Sequence, residues 1–174
     1  FLGSHIVRML RERGVPAEHI SVPRAKECDL RLRENCLRAA EGQEIIFDCA
    51  AFVGDLILRG KIPGQIFYDN LMMGVQLIEA ARLAGVKKII TIGSAVEYPE
   101  NAPSPLAEKD LWMGPQPFVN LSYGLAKKAL LVQGQMYRKQ YGLNVIHLMP
   151  TNMYGPGEKS ESGYLIPSLI EKVI

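Results

Sequence analysis

Three short apolar runs joined by long amphipathic ones constrain this chain more than any other feature. Glu44 to Asp48, Lys87 to Ser94 and Asn144 to Met149 have strand length and are rich in Ile, Val and Leu. Between them, Phe67 to Leu83 and Ser122 to Tyr141 repeat apolar residues at helical spacing, and the first of these stops at Gly85. Strands joined through whole helices cannot be hairpins, so they run parallel. The pattern predicts an α/β fold with a doubly wound parallel sheet.

The head of the chain extends the pattern. Ile6, Val7, Met9 and Leu10 form a helical stripe among Arg8, Arg11, Glu12 and Arg13, ended by Gly14 and Pro16. His19 to Pro23 reads as a strand, and Leu32 to Ala40 as a helix closed by Gly42. A helix led by Phe1-Leu2-Gly3-Ser4-His5 fits the start of a dinucleotide-binding Rossmann unit, with Gly3 as the last glycine of the phosphate-binding turn. A simple tight turn is the plainer use of one glycine. On the dinucleotide reading a first strand and further glycines precede Phe1, and in the order 3-2-1-4-5-6 that strand lies between 19–23 and 87–93. Both ends read as cut, because the chain starts at a helix and stops inside another apolar periodic run. The expected division is a partial dinucleotide-binding domain, 1–157, followed by the opening of a substrate domain, 158–174.

Composition narrows the function classes. In 174 residues the net charge is only +2 and the basic residues are scattered, which argues against a nucleic-acid footprint. Cys28, Cys36 and Cys49 are odd in number and lack metal-ligand spacing, so reduced thiols and no metal site are expected. No apolar run is long enough to span a bilayer and no signal pattern is present, so a cytoplasmic protein with no membrane partner is the expectation.

The chemistry-bearing stretch is Asn120-Leu121-Ser122-Tyr123-Gly124-Leu125-Ala126-Lys127-Lys128. On a helix, Tyr123 and Lys127 are one turn apart on the same face. A nearby ammonium favours the phenolate, bringing a phenol of reference pKa about 10 towards use as an acid and base at neutral pH. Alone, the spacing is more often a packed Tyr beside a solvated Lys. Around it stand Ala50-Ala51 after a strand, Asn70 opening a helix, Gly93-Ser94 at a strand end, and Pro150-Thr151-Asn152-Met153-Tyr154-Gly155-Pro156-Gly157 after the next strand. In that order and spacing the chain resembles the extended short-chain dehydrogenase/reductases. Ala50-Ala51-Phe52-Val53-Gly54, Asp110-Leu111-Trp112, Tyr123 to Leu131, Arg138 to Leu143, and Pro150 to Gly157 with Leu165-Ile166-Pro167 resemble, within that family, the nucleotide-sugar epimerase/reductases and nearest the GDP-L-fucose synthase branch.

The resemblance implies an NAD(P)-dependent enzyme. In it Tyr123 exchanges a proton with a sugar oxygen during hydride transfer at C4, Lys127 binds the nicotinamide ribose, and Ser94 bonds the same sugar oxygen. It also implies cofactor contacts at Gly3, Ala50, Ala51, Asn70, Pro150 and Met153, with Asp29-Leu30 at the adenine and Asn152 at the nucleotide-sugar. A homodimer through the helices 67–84 and 122–141 follows from the same likeness. After the 19–23 strand there is no Asp or Glu to hold both ribose hydroxyls, but Pro23-Arg24-Ala25-Lys26 instead. Arg24, with Lys26, therefore favours NADP, with NAD as the alternative.

The chain departs from the branch at two points. Val96 and Tyr164 stand where a Cys and a His carry protons for epimerisation, and valine carries none. Glu97 would substitute only if its loop turned differently. Ala95-Val96-Glu97 matches the Thr-Asp-Glu of 4,6-dehydratases only in its acid. A UDP- or dTDP-sugar 4-epimerase, a dehydratase, and a non-catalytic nucleotide-binding regulator on the same fold remain alternatives.

Overall fold

The computed structural model describes residues 1–53, 60–158 and 165–173, which form two compact units. The larger, Ser21–Pro150, contains α2 (Arg33–Ala40), β1 (Ile45–Asp48), α3 (Pro63–Leu83), β2 (Lys88–Ile92), α4 (Phe118–Tyr141) and β3 (Asn144–Leu148). The smaller joins Phe1–Ile20 to Thr151–Ile174 and contains α1 (Leu2–Glu12) and α5 (Leu165–Val173).

The sheet of the larger unit has three parallel strands in the order β1-β2-β3. Ile46 pairs with Ile89 and Ile89 with Val145, so one apolar row crosses all three strands. That row packs beneath Leu77, Ile78 and Ala81 of α3 and Leu130 of α4, with Cys36 and Ala40 of α2 closing the cluster. Two residues further along the same face, pairing register brings a polar row together: Asp48, Thr91 and His147 are opposite one another across the sheet. All three strands end on the same side, and their carboxyl ends lead into 49–53, 93–97 and 149–150.

Both long helices start earlier than their periodicity suggests. Pro63 opens α3, where its missing N–H costs nothing. Pro117, extended at φ −52° and ψ 137°, precedes α4, which ends at left-handed Gly142. In the smaller unit, Gly3 lies within the first turn of α1, and His5 Nε2 is 2.9 Å from Pro156 O.

The expected strand at 19–23 does not form. Ala17–His19 is a 3-10 turn, and Ile20 is extended without a ladder. Extended backbone becomes a strand only where a neighbour takes its hydrogen bonds, and none of the described strands does so. The expected strand order also needs correction, since β1 pairs directly with β2 rather than lying beyond 19–23.

Candidate active site

Lys127 shows how the larger unit builds its site. Its side chain is buried, and Nζ donates to Ala50 O at 3.2 Å, tying α4 to the segment after β1. The same Nζ lies 5.9 Å from the centre of the buried Tyr123 ring. Desolvating an ammonium is costly, and one carbonyl uses one of its three donors. The remaining two suit ribose hydroxyls. Ala50 and Ala51 carry no bulk beyond Cβ, so a cofactor can approach their backbone closely.

Asn70 fixes the same segment from α3. Its Oδ1 accepts Phe52 N–H at 3.0 Å, while Nδ2 donates to Phe52 O at 2.9 Å and to Ile66 O at 2.7 Å. The side-chain amide thus completes a backbone that has left the sheet. Beneath it, Asp48 is buried; burial pushes its carboxyl above the ordinary 3.8, against the pull of Lys127, the Ala50 N–H and His147.

Ser94 sits at the carboxyl end of β2, capping the 3-10 turn Ala95–Glu97. Its Oγ accepts Val96 N–H at 3.4 Å, which leaves the hydroxyl hydrogen free to be given elsewhere. The Glu97 carboxylate accepts Ser94 N–H at 2.7 Å, closing a reciprocal Ser-x-x-Glu cap. This turn lies directly on α4 beside Tyr123. A Cβ on Gly124 would stand 2.5 Å from Val96 O, so only glycine allows that approach. Ala95 N–H bonds Pro150 O at 3.0 Å, bringing the end of β3 to the same place. The Pro-rich loop before α4 is held by Gln116 Nε2 to Glu97 O at 2.9 Å, and by Lys128 Nζ to Leu111 O over the Trp112 ring.

The structure therefore gathers Ala50, Asn70, Ser94, Tyr123, Lys127 and Pro150 within one unit. Gly3, Asn152 and Met153 belong to the smaller unit, with Asn152 and Met153 exposed. Arg24 and Lys26 are exposed, and Arg24 O receives the Glu27 and Cys28 N–H groups of a turn. Asp29 is bound by Arg31 through two oxygens, which holds its carboxyl down at about 2, and Arg31 reaches on to Asp69 beside Asn70 at 3.0 Å. Leu30 packs against the core cluster. Tyr164 and Gly54 lie outside the described residues. Among the described residues no three His, Cys, Asp or Glu side chains stand together as metal ligands, and no helix is long and apolar enough to cross a membrane.

Sequence reasoning missed Arg31, Asp69, Gln116, Thr91 and His147. The sequence offers Glu97 as a stand-in proton carrier or as the acid of a dehydratase Thr-Asp-Glu; in the structure it is fully buried and turned towards His147 and the Ser94 amide. The Ser94-x-x-Glu97 spacing signals this cap in the sequence itself.

The larger unit thus holds a Tyr and a Lys one helical turn apart beside the carboxyl end of a parallel strand. The chain belongs to the NAD dependent epimerase/dehydratase family, whose model matches residues 1–174. It is similar to the GDP-L-fucose synthase of Sinorhizobium fredii (strain NBRC 101917 / NGR234), 35% identical over 175 residues, covering 98% of this chain and 55% of that one. Among solved structures, a GDP-D-glycero-L-gluco-heptose synthase from Campylobacter jejuni, in the presence of NADPH, superposes with a TM-score of 0.90 at 30% identity, covering 98% of this chain and 50% of that one. A GDP-mannoheptose C4 reductase from Campylobacter jejuni with NADP bound gives 0.87 at 30% identity, with coverages of 98% and 52%. The chain spans about half the length of the curated relatives it matches.

Proposed function

We propose that this chain carries the cofactor half of an NADP-dependent enzyme that reduces a GDP-linked keto-sugar at C4, by chemistry like that of GDP-L-fucose synthase. The observation that carries this reading is the buried Lys127 ammonium between Ala50 O and the Tyr123 ring, with the Ser94 turn packed on the same helix. The nicotinamide supplies the hydride. Tyr123 gives its phenolic proton to the sugar oxygen as negative charge develops there, and Ser94 donates a second hydrogen bond to that oxygen. Lys127 holds the ribose and, by its charge, favours return of Tyr123 to the phenolate.

In this reading Gly3 lies at the pyrophosphate, Asp29 and Leu30 at the adenine, Arg24 with Lys26 at the 2′-phosphate, Ala50, Ala51 and Asn70 along the ribose side, and Pro150 and Met153 at the carboxamide. Asn152 faces the sugar. Residues 1–157 serve the dinucleotide and 158–174 open the substrate domain. The enzyme works in the cytoplasm as a homodimer through α3 and α4, which carry exposed Tyr68, Leu125, Val132 and Met136.

Reduction without epimerisation is favoured over double epimerisation or dehydration, because Val96 carries no proton and the Glu97 carboxylate faces the interior. In the full reading frame, NADPH consumption with GDP-4-keto-6-deoxymannose is expected. Tyr123→Phe should lower kcat by about 10²–10⁴-fold while NADPH binding persists. Unchanged turnover in that variant would reject the mechanism; NADPH binding without turnover of GDP-, UDP- or dTDP-sugars by the unaltered protein would favour a nucleotide-binding regulator.

A further inference from the structure

Around Ser94, backbone hydrogen bonding runs out on one side. Gly93 N–H bonds Leu148 O at 2.7 Å and Ala95 N–H bonds Pro150 O at 3.0 Å, both towards β3. The Ser94 N–H between them finds no strand, since β1 ends at Asp48 opposite Thr91. The Glu97 carboxylate takes that N–H instead. Its oxygens also meet His147 Nε2 at 3.1 and 3.0 Å, and His147 Nδ1 lies 2.8 Å from Thr91 Oγ1. Glu97 is 0% exposed. The pair is tightly enclosed as well, because a Cβ on Gly93 would fall 2.1 Å from Glu97 Oε1 and 2.3 Å from His147 Nε2.

Burying a carboxylate is costly before its partners compensate, and an aliphatic side chain fills such a space more cheaply. An aliphatic side chain, however, cannot accept an N–H. We propose that Glu97 and His147 are a positioning pair that fixes the Ser94 peptide, and through it the direction in which the Ser94 hydroxyl donates. Neither residue touches substrate. Thr91 orients His147, His147 orients the Glu97 carboxylate, and the carboxylate anchors Ser94. The catalytic part of the proposal rests on the redox reading above; the anchoring part does not.

The test compares three forms of the full reading frame. Glu97→Gln keeps an acceptor for Ser94 and a donor for unprotonated His147, and should keep kcat within about threefold of the unaltered protein. The apolar pair Glu97→Leu with His147→Leu should fold with an equal or higher Tm and bind NADPH normally. It should lose about 10²-fold in kcat at unchanged KM for the sugar, because Ser94 loses its aim. In a Ser94→Ala background the same pair should cost nothing further, the mark of action through Ser94. Glu97→Met, which fills the space without an acceptor, serves if the apolar pair does not fold, with the same expected loss. Hydrogen exchange at the Ser94 amide should accelerate in Glu97→Met and stay slow in Glu97→Gln, whether or not turnover is measured. An apolar pair with undiminished kcat, an equal loss in the Ser94→Ala background, or unchanged Ser94 exchange in Glu97→Met overturns the proposal. Absence of turnover in the unaltered protein would instead reject the redox reading, leaving the exchange result to decide the anchoring.

Discussion

At the scale of single residues, buried polar groups set the pH behaviour. Asp48 binds its proton more tightly folded than unfolded, since burial raises its pKa above 3.8. A raised carboxyl stabilises the fold while protonated, and that contribution is lost as pH climbs from about 3.8 through the folded value. Asp48→Asn keeps an acceptor for the Ala50 N–H and removes this loss. The Tm of the variant relative to the unaltered protein should therefore rise with pH across that window and then level; a difference constant with pH would show that Asp48 does not titrate this way. At this scale the sequence was informative where spacing is local. Tyr123 and Lys127 stand one helical turn apart, and Ser94 with Glu97 form a four-residue cap, so both motifs can be read from the residues alone. His147 could not be found so, because its partner is set by the register of β3 on β2, 56 positions apart for Thr91 and His147.

At the scale of elements, the crossing of α3 over α4 fixes where Tyr123 and Lys127 are presented. Gly74 makes it possible: a Cβ there would stand 2.3 Å from Leu130 Cδ1, in a side chain that is itself fully buried. Gly74→Ala should cost about 1–3 kcal/mol by overpacking, read by chemical denaturation. Adding Leu130→Val should recover part of that loss; simple additivity of the two changes would mean that the helices do not meet there. The long helices and the three strands were legible because each carries its own periodicity over many residues. The strand expected at 19–23 was not. Its residues have strand propensity, but a strand exists only through its neighbour, and periodicity does not report whether a neighbour is present. The same blindness misplaced β1, whose position beside β2 is a property of the connection through α3.

At the scale of the whole molecule, cofactor choice gathers contributions from several elements. The proposed NADP preference rests on Arg24 and Lys26, both exposed. Titration of the full reading frame should show NADPH binding at least about tenfold tighter than NADH, and Arg24→Ala should erase most of that difference. Tighter binding of NADH would reverse the choice. The Glu97–His147 pair also has a consequence in time, because its partners are separated by 50 positions along the chain. At about 5–20 residues per second, the ribosome delivers Glu97 about 2.5–10 s before His147. During that interval the carboxylate has no imidazole to meet, and water is its cheapest neighbour. The anchor that aims Ser94 is thus complete only once β3 is made, and a pause in translation between these residues would prolong the stage at which Glu97 lacks His147.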